Sequence, residues 1–222
     1  MPLPRFDRLP VERQELILGV ARRHFAEHGS EAASYNKIIE AAGISKTAAY
    51  HYFDGREDLL TAVLGGVLGR LLRALGPWVP ARDEAEFWSR LEAGAGALVA
   101  HLHTHPDDLA LADAALGQAD DGPWRDWFAA LVTDGQRLGV IRTDVDHGLL
   151  VTVTAAVVRA ADSWALARMR TGAAPPAAPA TTSPIAAAEQ EESAQQLWSL
   201  LRSMWSAPGA AGRDGKDRAD AR

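Results

Sequence analysis

Residues 34–53 read SYNKIIEAAGISKTAAYHYF, and this stretch decides the fold. Two short helical segments flank Gly43, and each is headed by a serine, Ser34 before Tyr35 and Ser45 before Lys46. Serine suits that place because its hydroxyl accepts an amide proton that the first helical turn leaves unpaired. Gly43 stands where the chain must reverse through a left-handed backbone, which glycine adopts without a steric penalty. Ile38, Ala42 and Ile44 are spaced to pack the two helices together, and Tyr52 and Phe53 to close the unit against a following helix. The pattern is that of a helix-turn-helix, though an ordinary helical hairpin satisfies the same spacing. The second helix projects Ser45, Lys46, Thr47, Tyr50 and His51, flanked by small Ala48 and Ala49. Such a face fits a major groove ~12 Å wide, with its N-terminal residues nearest the bases.

Outward from this stretch the chain reads as all-α, with about nine helices. A first helix spans 11–28, with an apolar stripe through Leu16, Val20, Ala21 and Phe25, and Gly29 stops it. A fourth opens with Asp54 and Glu57 in capping-box spacing and ends before Gly76-Pro77; a fifth opens with Asp83 and Glu86 and ends near Thr104. Pro106 and Pro123 start the sixth and seventh, since proline lacks only an amide that the first turn does not use. The β-branched run from Leu149 to Val158 is as apolar as a buried strand, but its continuation through Trp164 and Ala167 predicts a long eighth helix. An Ala/Pro-rich loop over 172–183 precedes a ninth helix from Ser183-Pro184 to about Ala207. The expected division is a helix-turn-helix domain over 1–56, a larger helical bundle over 57–207 and a disordered tail over 208–222.

Composition narrows the function. The 222-residue chain has no cysteine, which removes disulfides, thiolate metal sites and cysteine nucleophiles. Net charge is −6, yet residues 1–56 carry eight Lys+Arg against seven Asp+Glu, while the remainder carries 15 against 22. Nucleic-acid binding must therefore be local and confined to the N-terminal quarter. No uncharged window of about 18 apolar residues and no leader-like start are visible, so a cytoplasmic protein without a membrane span is expected. Hydrolase nucleophile elbows, phosphate-cradling loops and H-E-x-x-H are missing, so no enzyme and no cofactor are expected.

The residues ARRHFAEHG (21–29) and IIEAAGISKTAAYHYFDGREDLL (38–60) resemble the DNA-binding domain of the TetR family of bacterial transcriptional repressors. The resemblance covers about residues 11–62 and rests on Phe25, Gly29, Ala42-Gly43-Ile44-Ser45, Tyr50, Phe53, Arg56-Glu57 and Leu59; GQRLGVIRTDVD (135–146) is similar to members too. It implies an all-α ligand-binding and dimerisation domain downstream. It also implies phosphate contacts from Ser34, Tyr35, Thr47, Tyr50 and Arg56, and base-edge contacts from Lys46 with Ser45 and His51. The residues alone leave Tyr50 open as a packing aromatic, Lys46 as a solvated charge, and Arg56 as a cap or ion pair near Asp54. Departures are Ile39 in place of a small residue, Thr47 where Gly or Pro is common, Ala49 where a larger residue is common, and Asn36 at a frequently basic position. These bear on operator preference.

In the downstream part, helix 8 carries Ala155, Ala156, Ala160, Ala161, Ala165 and Ala167, and helix 9 carries Leu197, Leu200, Leu201 and Met204. Two copies could form an intermolecular four-helix bundle, which sets two reading helices one DNA turn apart on a palindrome. Trp78, Phe87, Trp88, His101, Trp124, Trp127, Phe128 and Trp164 are candidate lining for a pocket taking a small apolar or aromatic effector, and equally candidate core. His101 and His105 stand i,i+4 with Asp107 or Asp108 near, as metal ligands can, although a helix end favours histidine by itself. His24 and His28 share the spacing and read as surface. The expected function is a ligand-released repressor binding a palindromic operator as a homodimer. The alternatives are a partner-binding protein with a degenerate helix-turn-helix, a metal-responsive regulator using His101 and His105, and an α-helical enzyme.

Overall fold

In a computed structural model of the chain, residues 2–118, 122–172 and 196–206 are described, and all regular structure among them is helical. The helices are α1 (Val11–His28), α2 (Tyr35–Ala41), α3 (Lys46–Tyr52), α4 (Arg56–Leu75), α5 (Glu84–Thr104), α6 (Pro106–Leu116), α7 (Pro123–Leu138) and α8 (His147–Gly172). A further helix, α9, occupies 196–205. The expected loop at 172–183, the start of α9 at 184 and the tail at 208–222 fall outside the described residues or at their edge.

The chain divides into two compact units, the first from residues 1–76 and 94–120 and the second from 77–93 and 121–222. The first unit runs past the expected boundary at 56/57, and within it α1 packs along both α4 and α6. The buried face of α1 is Ile17, Ala21 and Phe25, and that of α4 includes Leu59, Val63, Val67 and Leu71. Leu16, placed in the stripe by the sequence reading, is exposed instead, because the face turned to α4 runs one residue later. Each fully buried Leu, Ile or Phe contributes roughly 1.5–3 kcal/mol, which is what keeps seven-residue helices such as α2 and α3 folded.

Charge also crosses this unit. Asp108 on α6 is 0% exposed and accepts two hydrogen bonds from Arg70 of α4, at 2.9 and 2.7 Å. Its other oxygen contacts reach His101 Nε2 of α5 at 2.9 Å and Arg22 of α1 at 3.6 Å. Burial alone pushes the Asp108 carboxyl up, but the hydrogen bonds from Arg70 and His101, with the charges of Arg70 and Arg22, hold it below the ordinary carboxylate value. A single buried carboxylate thus joins four helices of the first unit.

In the second unit α7 packs along α8. α7 closes on Gly139 in the left-handed conformation, with Gly139 N–H bonded to Gln136 O and Val140 N–H to Gly135 O. This is a Schellman ending, in which the two amides satisfy carbonyls that the last turn leaves open. Ile141 then folds back over Gly135 so closely that a Cβ at Gly135 would meet its Cγ1 and Cδ1 at 2.5 Å. The similar GQRLGVI stretch is therefore a packing device. Residues 77–83 are pinned by buried Asp134, which accepts from Ala81 N–H at 2.8 Å and Trp78 Nε1–H at 3.1 Å while pairing with Arg137. Trp205 of α9 is buried against Phe87 and Trp88, and its indole donates to buried Thr154 at 3.1 Å.

Helix starts follow the sequence except at Ser34, which makes no side-chain cap bond, and at Asp54. Ser45 Oγ accepts from Ala48 N–H at 3.1 Å, Asp83 Oδ1 from Glu86 N–H at 2.8 Å, and Asp146 Oδ1 from Leu149 N–H at 2.9 Å. Asp54 does not cap α4; Gly55 holds the N-cap at φ 90°, and Asp58 reaches back to Asp54 N–H. α8 is, among the described residues, the one helix long and apolar enough to cross a membrane, and only 22% of the qualifying stretch is buried.

Candidate nucleic-acid interface

The turn between α2 and α3 is fixed from several sides. Gly43, at φ 61°, donates to Glu40 O at 3.0 Å, and Ile44 N–H reaches Ile39 O at 3.1 Å, a second Schellman ending. Ile39 and Ile44 hold the two positions whose apolar contact usually accompanies that ending. The bulk of Ile39 is thus placed inside the turn and is nearly fully buried. Arg13 of α1 donates to Gly43 O at 3.0 Å from thirty residues upstream.

α3 then presents its polar face outward. Lys46, Thr47, Tyr50 and His51 are exposed, Tyr50 by 52%, whereas Ala49 on the opposite side is fully buried. Ser45 spends one lone pair on its cap and keeps its hydroxyl proton, and exposed Ser34 heads α2 without a side-chain cap bond. Among the described residues no ion pair engages Lys46.

Two expected contacts are placed differently. Tyr35 turns its hydroxyl inward, where it is buried without a partner, and its ring supports that of Tyr50 at 5.9 Å between centroids. Burial, helped by Tyr50 and Asp58, pushes its pKa up to about 12, so the group stays neutral. The hydroxyl is thus turned away from solvent, while the amides at the start of α2 belong to an exposed helix end. Arg56 donates to Ala33 O at 3.0 Å and to Ser30 O, pairs with Glu57 and lies over the Phe25 ring. Its donors hold the α1–α2 connection, a tie within the head.

The basic residues divide accordingly. Of the eight cations in residues 1–56, Arg13, Arg22 and Arg56 serve internal bonds. Sequence reasoning missed one part of the head altogether. Leu3 N–H donates to Tyr52 O, the end of α3, at 2.8 Å, and Phe6 is buried 4.8 Å from Phe53. Tyr52 and Phe53 close on this N-terminal segment; a lone phenylalanine among Pro, Arg and Leu was its only signal.

The candidate pocket residues fall into separate groups. Trp78, Phe87, Trp88, Trp127 and Phe128 contact one another, with centroids 5.1–5.7 Å apart, so each fills the space beside the next. Trp124 packs on Phe128 and leaves its buried indole N–H unpartnered. Trp164 is exposed beneath Arg168 on α8. His101 belongs to the other unit and is committed to Asp108. The His101 and His105 rings stack at 4.0 Å, His105 Nδ1 faces His101 O, and no group of metal-ligating side chains occurs among the described residues.

With this geometry in place, relatives can be compared. Residues 17–63 match the model of the bacterial regulatory proteins, tetR family. Over that stretch the chain is similar to tetR-family regulators. The HTH-type transcriptional repressor AcnR of Corynebacterium diphtheriae is 41% identical over 63 residues, 28% of this chain and 33% of that protein. The regulator BetI of Rhizobium meliloti is 35% identical over 69 residues, 31% of this chain and 34% of that protein. The chain thus matches about a third of the length of these curated relatives. The crystal structure of a tetR family transcription regulator from Shewanella sp. PV-4 superimposes with TM-score 0.60 at 16% identity, over 88% of this chain and 98% of that one. A TetR-family regulator from Pectobacterium atrosepticum gives 0.59 at 22% identity, over 90% and 100%. The all-α TetR fold therefore extends well beyond the matched domain.

Proposed function

We propose that the chain is a DNA-binding transcriptional regulator of the TetR type, acting as a repressor. The observation that carries this reading is the outward face of α3. Lys46, Thr47, Tyr50 and His51 are exposed together on a helix whose start, turn and far side are all fixed by the rest of the head. Lys46 offers a guanine-reading cation near the N-terminal end of the helix, where base edges are closest. Tyr50, Thr47, Ser45 and Ser34 hydroxyls, with the α2 amides, set register on the phosphates.

A dimer completes the reading, because one seven-residue helix spans too few base pairs for a specific site. α8 leaves Leu149, Val153 and Trp164 exposed, and α9 leaves Leu200 exposed by 64%, while Leu201 on its other side is core. Exposed apolar side chains alongside the alanines of α8 favour a helical partner, and a second copy is the symmetric choice. A bound partner also accounts for the low burial of α8 without a membrane. A small effector would act in the second unit by preferring one dimer geometry, and the unpartnered Trp124 indole offers it a hydrogen-bond donor.

Selection of duplexes from a random-sequence library by the full-length protein tests this. The expected result is an enriched palindrome bound by a dimer, with Tyr50→Ala weakening all duplexes alike and Lys46→Ala also changing which base pairs are preferred. Recovery of no enriched sequence, or enrichment indifferent to both substitutions, would overturn the assignment.

A further inference from the structure

Resting on that reading of α3, we propose that the folded N-terminal segment, residues 3–8, is a second DNA-contacting element, in which Arg5 and Arg8 hold backbone phosphates beside the groove that α3 enters. The segment is built onto the reading helix itself. Leu3 N–H donates to the carbonyl of Tyr52, the last residue of α3, at 2.8 Å. Phe6 is 2% exposed, with its ring 4.8 Å from Phe53 and 6.2 Å from Tyr52. Two turns lock the intervening backbone, Phe6 N–H to Leu3 O at 2.8 Å and Leu9 N–H to Phe6 O at 3.0 Å. Gln14 of α1 ties the far end through Leu9 O at 2.9 Å and Asp7 O at 3.3 Å.

Arg5 and Arg8 lie on either side of the buried Phe6 and are exposed, and no ion pair engages them among the described residues. A plain anchoring role for the segment needs Phe6 and Leu3 and has no use for the two arginines. α3 rises only ~10 Å over its seven residues, so a segment bonded to its last carbonyl stays beside a groove ~12 Å wide, where phosphates line both walls. A disordered basic arm loses backbone entropy on binding. Here that ordering is already part of the fold. Asp7, the one acid in the segment, leaves it with a net positive charge.

The test uses the full-length protein and a duplex recovered by selection with the wild-type chain, titrated between about 50 and 300 mM KCl. Each lost phosphate contact lowers the slope of log K against log salt by ~0.9, so Arg5→Gln with Arg8→Gln should remove ~1.8 per protomer and weaken binding roughly ten- to thirtyfold per protomer near 0.15 M salt. Preference among sequences and the melting temperature should stay as in wild type, and Arg5→Lys with Arg8→Lys should restore the slope. An unchanged slope in the glutamine variant, with Lys46→Ala still impaired, would overturn the role of the segment alone. Failure of the wild-type chain to bind any duplex would overturn the reading of α3 and this inference together.

Discussion

Substituting Asp108→Asn removes one charge at the meeting point of α1, α4, α5 and α6 while keeping nearly the same volume. The carboxylate is fully buried and takes charged hydrogen bonds at 2.7 and 2.9 Å from Arg70, with His101 at 2.9 Å and Arg22 at 3.6 Å. Breaking a buried pair by removing one partner costs about 3–5 kcal/mol, chiefly through the charge left behind. Arg70 and Arg22 retain 26% and 25% of their side-chain surface in solvent, and an amide oxygen still accepts one bond. We therefore expect about 2–3 kcal/mol, or roughly 5–10 °C in melting temperature for a chain of this size. All seven tryptophans lie outside the first unit, so fluorescence follows the second unit and far-UV circular dichroism follows both. The dichroism midpoint should fall and part from the fluorescence midpoint. The folded-state pKa of Asp108 is depressed, so its contribution is present above the unfolded carboxylate value of about 3.9 and is lost as pH falls through the lower folded value. The gap between wild type and variant should be level from pH 5 to 8 and close below about pH 4. A loss under about 0.5 kcal/mol at pH 7, or a gap that widens in acid, would refute the carboxylate's structural role.

Three further outcomes are expected. Gly135→Ala should cost about 1–3 kcal/mol in denaturant unfolding, because its methyl would overlap Ile141 atoms at 2.5 Å, and Ile141→Ala in the same chain should make the effect of the added methyl small. Tyr35→Phe should leave DNA affinity unchanged and stability unchanged or slightly raised, since it deletes a buried hydroxyl that has no partner; a tenfold loss in affinity would place that hydroxyl on phosphate after all. Arg56→Gln should lower the stability of the head by about 1–3 kcal/mol, since it unties the Ala33 and Ser30 carbonyls, and should leave the salt slope of DNA binding as it was.

The fold was legible wherever local chemistry dictates it. Ser45 and Asp83 cap because a short acceptor before an apolar run has few other uses, and Gly29 and Gly43 end helices because φ there is positive. What stayed hidden is what folding brings from afar. Arg13 on Gly43 O, Phe6 under Phe53 and the Arg22–Asp108 contact have no signal in local spacing. At the interface, Lys46, Thr47, Tyr50 and His51 could be placed because seven-residue helical periodicity puts them opposite buried Ala49. Tyr35 and Arg56 could not, because whether a polar tip turns out to solvent or inward depends on neighbours up to twenty-six residues away. The aromatic residues were left open between pocket and core for a related reason. Ring-rich sequence is the same whether rings face a void or each other, and here Trp78, Phe87, Trp88 and Trp127 face each other.

The division of charge in the head constrains how such a chain can bind DNA. Beyond residue 56 acids exceed bases by seven, so phosphates are repelled from most of the surface and attraction must come from the head. With Arg13, Arg22 and Arg56 held internally, five cations remain there for phosphate or base: Arg5, Arg8, Arg23, Lys37 and Lys46. At ~0.9 per phosphate contact, a dimer could show a salt slope of at most about 9, and about 5 if Arg5 and Arg8 took no part. A measured slope between those bounds therefore counts the arms directly. A slope above the upper one would mean that the internal ties of Arg13 or Arg56 open when the head meets DNA.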